Sequence, residues 1–143
     1  MTTATNPLDI QIGGAHYKGF AIQPIEYIHK NDIGFIAGCI IKRMARFNQP
    51  GGKGAQDIEK SIHELDILIA QIQGGAFPYS TYTMETSLPI TPGAFCFANG
   101  FKTRPADIIG LVTRFNLEGN GTEDLLKARR IAVDLLSDMG AIA

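Results

Sequence analysis

The chain has 143 residues, enough for one domain or for two very small units sharing a core. Hydrophobic residues make up 45% and charged residues 19%, a composition that excludes disorder along the whole chain. A balance of 13 basic against 14 acidic residues excludes a broad nucleic-acid-binding coat and confines any anion site to a local patch.

No apolar run approaches the ~20 residues of a membrane span. The opening MTTATNPLDI lacks the basic start and apolar stretch of a secretory signal. Both readings predict a cytoplasmic protein with no membrane contact. Cys39 and Cys96 show no C-x-x-C spacing, so they read as two buried thiols.

The first nine residues read as polar and loose. Residues 10–23 mix Gly with short apolar runs and read as turns or short strands. Pro24 opens a short helix over Ile25 to Lys30. A second helix is predicted over Gly34 to Phe47, with Ile33, Ile36, Ile40, Met44 and Phe47 forming its apolar stripe. The run from Gln49 to Gly54 must break it. A third helix is predicted over Ala55 to Gln73, with a stripe of Ile58, Ile62, Leu65, Ile69 and Ile72 and a stop at Gly74 and Gly75. Residues 76–102 show no clean helical period, and Tyr79 to Met84 suits an extended segment. Further helices are expected over Pro105 to Phe115, with Thr103 as cap, and over Thr122 to Met139, stopped by Gly140. Leu117 to Gly121 reads as the loop between them.

The halves match each other. Ile22, Pro24, Ile40, Ile41, Arg46, Phe47, Asn48 and Gly51 are answered 68 positions later by Ile90, Pro92, Ile108, Ile109, Arg114, Phe115, Asn116 and Gly119. After a one-residue deletion, Gly54, Asp57 and Lys60 are answered by Gly121, Asp124 and Lys127. The expected fold is therefore mainly α: a duplicated helix-loop-helix forming a small bundle, with short extended segments before each copy. It would be a single domain over 1–143, with repeats at 14–74 and 88–140, because one helix pair cannot bury its apolar face alone.

His16-Tyr17, Ile25-Glu26, Gly38-Cys39, Ile41-Lys42, Arg46, Lys53 and Asp57-x-x-Lys60 follow one another in an order that resembles the small phage family described as nucleotide kinase-like, or SaV-like. The resemblance covers about residues 14–70. The family pattern Gly-x-x-x-Lys-Tyr-x-x-Arg falls on Gly38 to Arg46, with Arg43 replacing the usual aromatic. Ser61 stands where Ala is usual, and Leu65 falls near an expected Tyr. The resemblance implies nucleotide handling; one member of that family phosphorylates deoxynucleoside monophosphates without a standard phosphate loop, an activity that would call for a nucleoside triphosphate donor.

The residues themselves leave alternatives open. Lys42 and Arg46 lie on the face of the second helix opposite its apolar stripe, together with Phe35 and Cys39. That face is either a solvated charged surface or a phosphate-binding stripe, in which Arg46 binds oxygens bidentately and Lys42 acts as a point charge. The loop from Pro50 to Gly54 is either a plain turn or a backbone cradle for phosphate, with Lys53 adding charge. His16 is either a local packing residue or an acid/base, and Tyr17 either packs or holds a base. Asp57 either favours a helix start or orients Lys53 and Arg46. Glu59–His63 and Lys60–Glu64 read as surface pairs.

The candidate catalytic residues are thus His16, Lys42 and Arg46. The candidate ligand-binding residues are Tyr17, Arg43, Lys53, Asp57, Lys60 and Arg114. No metal-ligand pattern is visible, because Glu59, Glu64 and Asp66 lack paired-carboxylate helix spacing. Three functions remain: a nucleotide kinase-like enzyme, a binding protein that sequesters a nucleotide second messenger, and a structural or interaction domain. Scattered apolar groups outside a small core point to a homo-oligomer.

Overall fold

Proline and glycine set the boundaries of most helices. A computed structural model describes residues 6–11, 17, 19–75, 88–118 and 122–140. Helix α1 (Pro24–Lys30) opens on Pro24, whose missing N–H has no partner to lose at a first helical position. Helix α2 (Phe35–Arg46) follows a short turn and α3 (Ala55–Gln73) follows the Gly-rich loop. Helix α4 (Pro92–Asn99) again opens on proline, capped by the Thr91 hydroxyl, which accepts from the Ala94 amide at 3.1 Å. Gly100, at φ +67°, ends it in the left-handed conformation that glycine favours. Helices α5 (Thr103–Glu118) and α6 (Glu123–Gly140) complete the chain. Among the described residues there is no strand, and no helix is long and apolar enough to cross a membrane.

Four helices close a ring. Helix α2 packs on α3, α3 on α6, α6 on α5, and α5 back on α2. Helix α1 rests on α2 and α4 on α5. The ring encloses Ile40, Ile41, Met44, Ile58, Leu65, Ile108, Ile109, Val112 and Leu125, all essentially without solvent contact. Where α1 and α4 meet, Tyr27 stacks on Phe95 with ring centroids 4.2 Å apart and planes 11° apart. The Tyr27 hydroxyl also lies 2.7 Å from the Thr113 hydroxyl on α5. Burial first, then nearby charge, raises the Tyr27 phenol above its ordinary range.

Two asparagines tie the halves crosswise. Asn31 donates to the Ile90 carbonyl at 2.6 Å and accepts from the Ile90 amide at 3.1 Å. Asn99 donates to the Ile22 carbonyl at 2.8 Å and accepts from the Ala21 and Ile22 amides at 2.8 and 3.3 Å. Each segment leading into a short helix is thus bonded by a side chain of the other half.

The structure corrects several expectations. Pro92 to Asn99 is a helix, where no clean helical period was visible. Phe95 and Cys96 face inward while Phe97 is 90% exposed, and eight residues are too few to show a period. Helix α5 starts at Thr103 rather than Pro105 and runs past Phe115 to Glu118, with Pro105 in its first turn where no amide partner is lost. Gly140 lies inside α6, not beyond it. Pro7–Asp9 form a 3-10 turn capped by Asn6, and the Gln23 side chain donates to the Leu8 carbonyl. Tyr79 to Met84, Gly119 and Gly121 lie outside the described residues.

Candidate functional site

Helix α2 carries the basic residues outward while its opposite side enters the core. Ile40, Ile41, Met44 and Ala45 are buried, leaving Lys42 exposed and Arg43 and Arg46 partly covered. Gly38 lets α1 approach, since a Cβ there would lie 3.0 Å from Ile28 Cγ2.

The centre of the cluster is Asp57, in the first turn of α3 and fully buried. Arg46 donates to it from Nη2 at 2.9 Å and from Nε at 3.3 Å. The Lys53 amide donates to Oδ2 at 2.9 Å, and Arg43 Nη1 reaches Oδ1 at 3.5 Å. Burial alone would raise the Asp57 carboxyl, but Arg46, the Lys53 amide and Arg43 outweigh it and hold it below the usual carboxylate value. Arg46 is raised in turn, through its bond to Asp57 above all. Its remaining Nη1 donates to the Tyr17 hydroxyl at 3.0 Å. Arg43 places its Nε 2.6 Å from Glu64.

These bonds decide what each cation can offer. Both arginines are matched by carboxylates in partly dry surroundings, so their charge is compensated inside the protein. Three loop amides are occupied as well: Gly52 donates to the Gln49 carbonyl, Lys53 to Asp57 and Gly54 to the Phe47 carbonyl. The stretch from Pro50 to Gly54 is therefore a turn folded onto the end of α2, with most of its amides engaged. Gly52 is required there, because a Cβ would fall 1.9 Å from the Arg46 carbonyl oxygen.

Lys42 is different. Its Nζ stands 5.5 Å from the centroid of the Tyr17 ring. Lys42 and Tyr17 line a cleft of about 600 Å³ whose other walls include Leu8, Ile10, Ile25 and Ile28. Aromatic Phe20 lies against Tyr17, with ring centroids 6.1 Å apart.

Lys42, Arg43, Arg46, Asp57 and Tyr17 thus come together. Lys53 joins through its amide, with its side chain exposed, and Lys60 is exposed on α3. Glu64 turns to Arg43 rather than to Lys60. Arg114 lies in the other half, pairing with Glu118 at 3.4 Å and Asp124 at 3.3 Å, and lines a different groove. His16 lies outside the described residues. Among the described residues, no group of three His, Cys, Asp or Glu could hold a metal ion.

Sequence reasoning missed the apolar cleft wall and the asparagine ties. Part of the wall comes from Leu8, in the stretch that reads as polar and loose, and from Ile10, in the turns after it. The ties left a signal: Asn31 and Asn99 obey the same 68-residue spacing as the other matched pairs. The Arg43–Glu64 bridge joins two helices and had no local pattern to reveal it. Comparison with known families, with curated proteins and with solved structures finds no match for this chain.

Proposed function

We propose that the chain is a nucleotide-binding protein whose ligand lies in the cleft between α1, the Pro7–Gln11 segment and Lys42. The observation that carries this reading is the cleft itself: apolar walls, one aromatic ring, and one exposed cation beside that ring. A flat base suits the walls, and a phosphate suits Lys42. Arg46 supports Tyr17 through its hydroxyl, and Asp57 supports Arg46.

Retention of the ligand without turnover is the better-supported form. Phosphoryl transfer calls for unspent cationic charge around the moving group. Arg43 and Arg46 spend theirs on Glu64 and Asp57, which leaves Lys42 and Lys53. A phage protein that sequesters a nucleotide second messenger in the host cytoplasm fits this distribution. The kinase reading rests on the family resemblance and would draw on Lys42, Lys53 and a triphosphate donor.

We also read the second half as a divergent copy of the first. Supporting this, α1–α3 and α4–α6 recur in the same order, and Arg46–Asp57 is echoed by Arg114–Asp124. Phe35 and Phe97, 85% and 90% exposed, support the homo-oligomer.

The test is incubation with a panel of mono-, di- and cyclic nucleotides, followed by calorimetry and mass spectrometry of the recovered ligand. Retention predicts tight binding, an unchanged ligand, and at least tenfold weaker binding in Lys42→Ala. New diphosphate formed from ATP and a monophosphate returns the kinase. Binding unaffected by Lys42→Ala overturns the site.

A further inference from the structure

The groove between α5 and α6 gathers cations around apolar surface a second time. It encloses about 580 Å³ and shares no lining residue with the Lys42 cleft. Its apolar wall is Leu111 and Ile131, standing at the positions that Arg43 and Glu64 occupy in the first half. The ion pair that fills the α2–α3 surface is thereby replaced by two aliphatic side chains. Gly110 stands at the position of Lys42, and a Cβ built on it meets nothing within 4 Å. Its bare backbone is not demanded by packing and leaves the groove open.

The rim holds Arg114, Lys127 and Arg130. Arg46 uses all three of its nitrogens at 14% side-chain exposure, whereas Arg114 meets Glu118 and Asp124 from Nε at 3.4 and 3.3 Å with its side chain 60% exposed. Lys127 meets Glu123 at 3.1 Å in an exposed pair one helical turn apart, an arrangement of small energy that a stronger anion displaces. Arg130 makes no ion pair among the described residues. The rim thus keeps exposed N–H donors, although Asp107 shares the groove and Glu118, Asp124 and Glu123 pair with Arg114 and Lys127. A phosphate group, with up to two charges and three acceptor oxygens, outcompetes a single surface carboxylate for such guanidinium groups.

We propose that the α5–α6 groove is a second ligand site, which takes a small organic phosphate. The apolar body lies on Leu111 and Ile131 over Gly110. The phosphate sits among Arg114, Lys127 and Arg130. This site stands independently of the Lys42 cleft.

The experiment is a titration of the full chain with phenyl phosphate, followed by backbone amide NMR, with inorganic phosphate as a second probe. Phenyl phosphate is expected to shift the Gly110 and Leu111 amides and to bind more tightly than inorganic phosphate. Arg130→Ala is expected to weaken the binding read at the Gly110 and Leu111 amides at least tenfold, and Lys30→Ala, at a residue that lines neither groove, to leave it unchanged. Gly110→Leu fills the groove in the middle of a helix and should abolish binding there while keeping a melting midpoint no lower than wild type. The proposal is overturned if phenyl phosphate fails to bind at millimolar concentration. It is equally overturned if Arg130→Ala leaves the Gly110 and Leu111 shifts intact, or if Lys30→Ala removes them.

Discussion

Asn31 and Asn99 hold each other's half of the molecule in the same way. They stand 68 positions apart, and so do Ile90 and Ile22, whose backbones they bond. Asn31 is fully buried, and truncating it leaves the Ile90 amide and carbonyl without their side-chain partner. Asn31→Ala is expected to cost about 1–3 kcal/mol. Asn99→Ala should cost less, since Asn99 is only partly covered. Urea unfolding of both variants measures this; equal, negligible losses would show the ties to be incidental.

Asp57 sets an acid limit on stability. Its carboxyl is held below its unfolded value, so its contribution is fully present above about pH 4. That contribution drains away as pH falls through the lowered native value. The wild type should therefore lose stability steeply below pH 4, and Asp57→Asn should show a flatter profile there. At neutral pH the substitution removes one partner of a buried pair and should cost about 3 kcal/mol. Denaturant midpoints taken across pH 2–7 separate the two curves.

Two glycines should respond oppositely to alanine. Gly52→Ala drives a methyl group into the Arg46 carbonyl and should destabilise by about 3 kcal/mol, if the loop accommodates it at all. Gly110→Ala, inside α5 with open space above it, should stabilise by roughly 0.5–1 kcal/mol through helix propensity. Thermal melts of the pair decide the matter, and a neutral Gly52→Ala would contradict the close approach described for the loop.

Both thiols should be sluggish nucleophiles. Burial pushes Cys96 up to about 11, with Asp107 adding to it. Burial and then Glu64 raise Cys39. A thiol reagent at pH 8 should label the native protein slowly, Cys39 ahead of the more deeply buried Cys96, and label the urea-unfolded chain at once. Mass spectrometry after brief exposure gives the order directly.

Much of the bundle was readable because burial leaves a period. Ile40 and Met44 on α2, and Ile58, Leu65, Ile69 and Ile72 on α3, repeat at helical spacing and do face the core. Helix α4 was hidden because a short helix has too little length for a stripe, yet Pro92 at the spacing of Pro24 marked its start. The basic face of α2 was visible, but not the fate of its charges. Arg46 and Asp57 are 11 positions apart and meet only because the Gly-rich loop folds back under α2. Arg43 and Glu64 meet across 21 positions for the same reason. The cleft was invisible because it needs Leu8 and Ile10 laid against α1, a tertiary event that no local pattern encodes.

The crosswise asparagine ties impose a direction on assembly. During synthesis Ile22 leaves the ribosome 77 residues before Asn99. Its backbone groups must remain with water until the second half arrives. Ile90, by contrast, emerges after Asn31 is already in place. The early half is therefore a mould that the late half both fills and locks. A chain arrested before Asn99 would keep α2 and α3 on offer without the latch that holds the segment leading into α1.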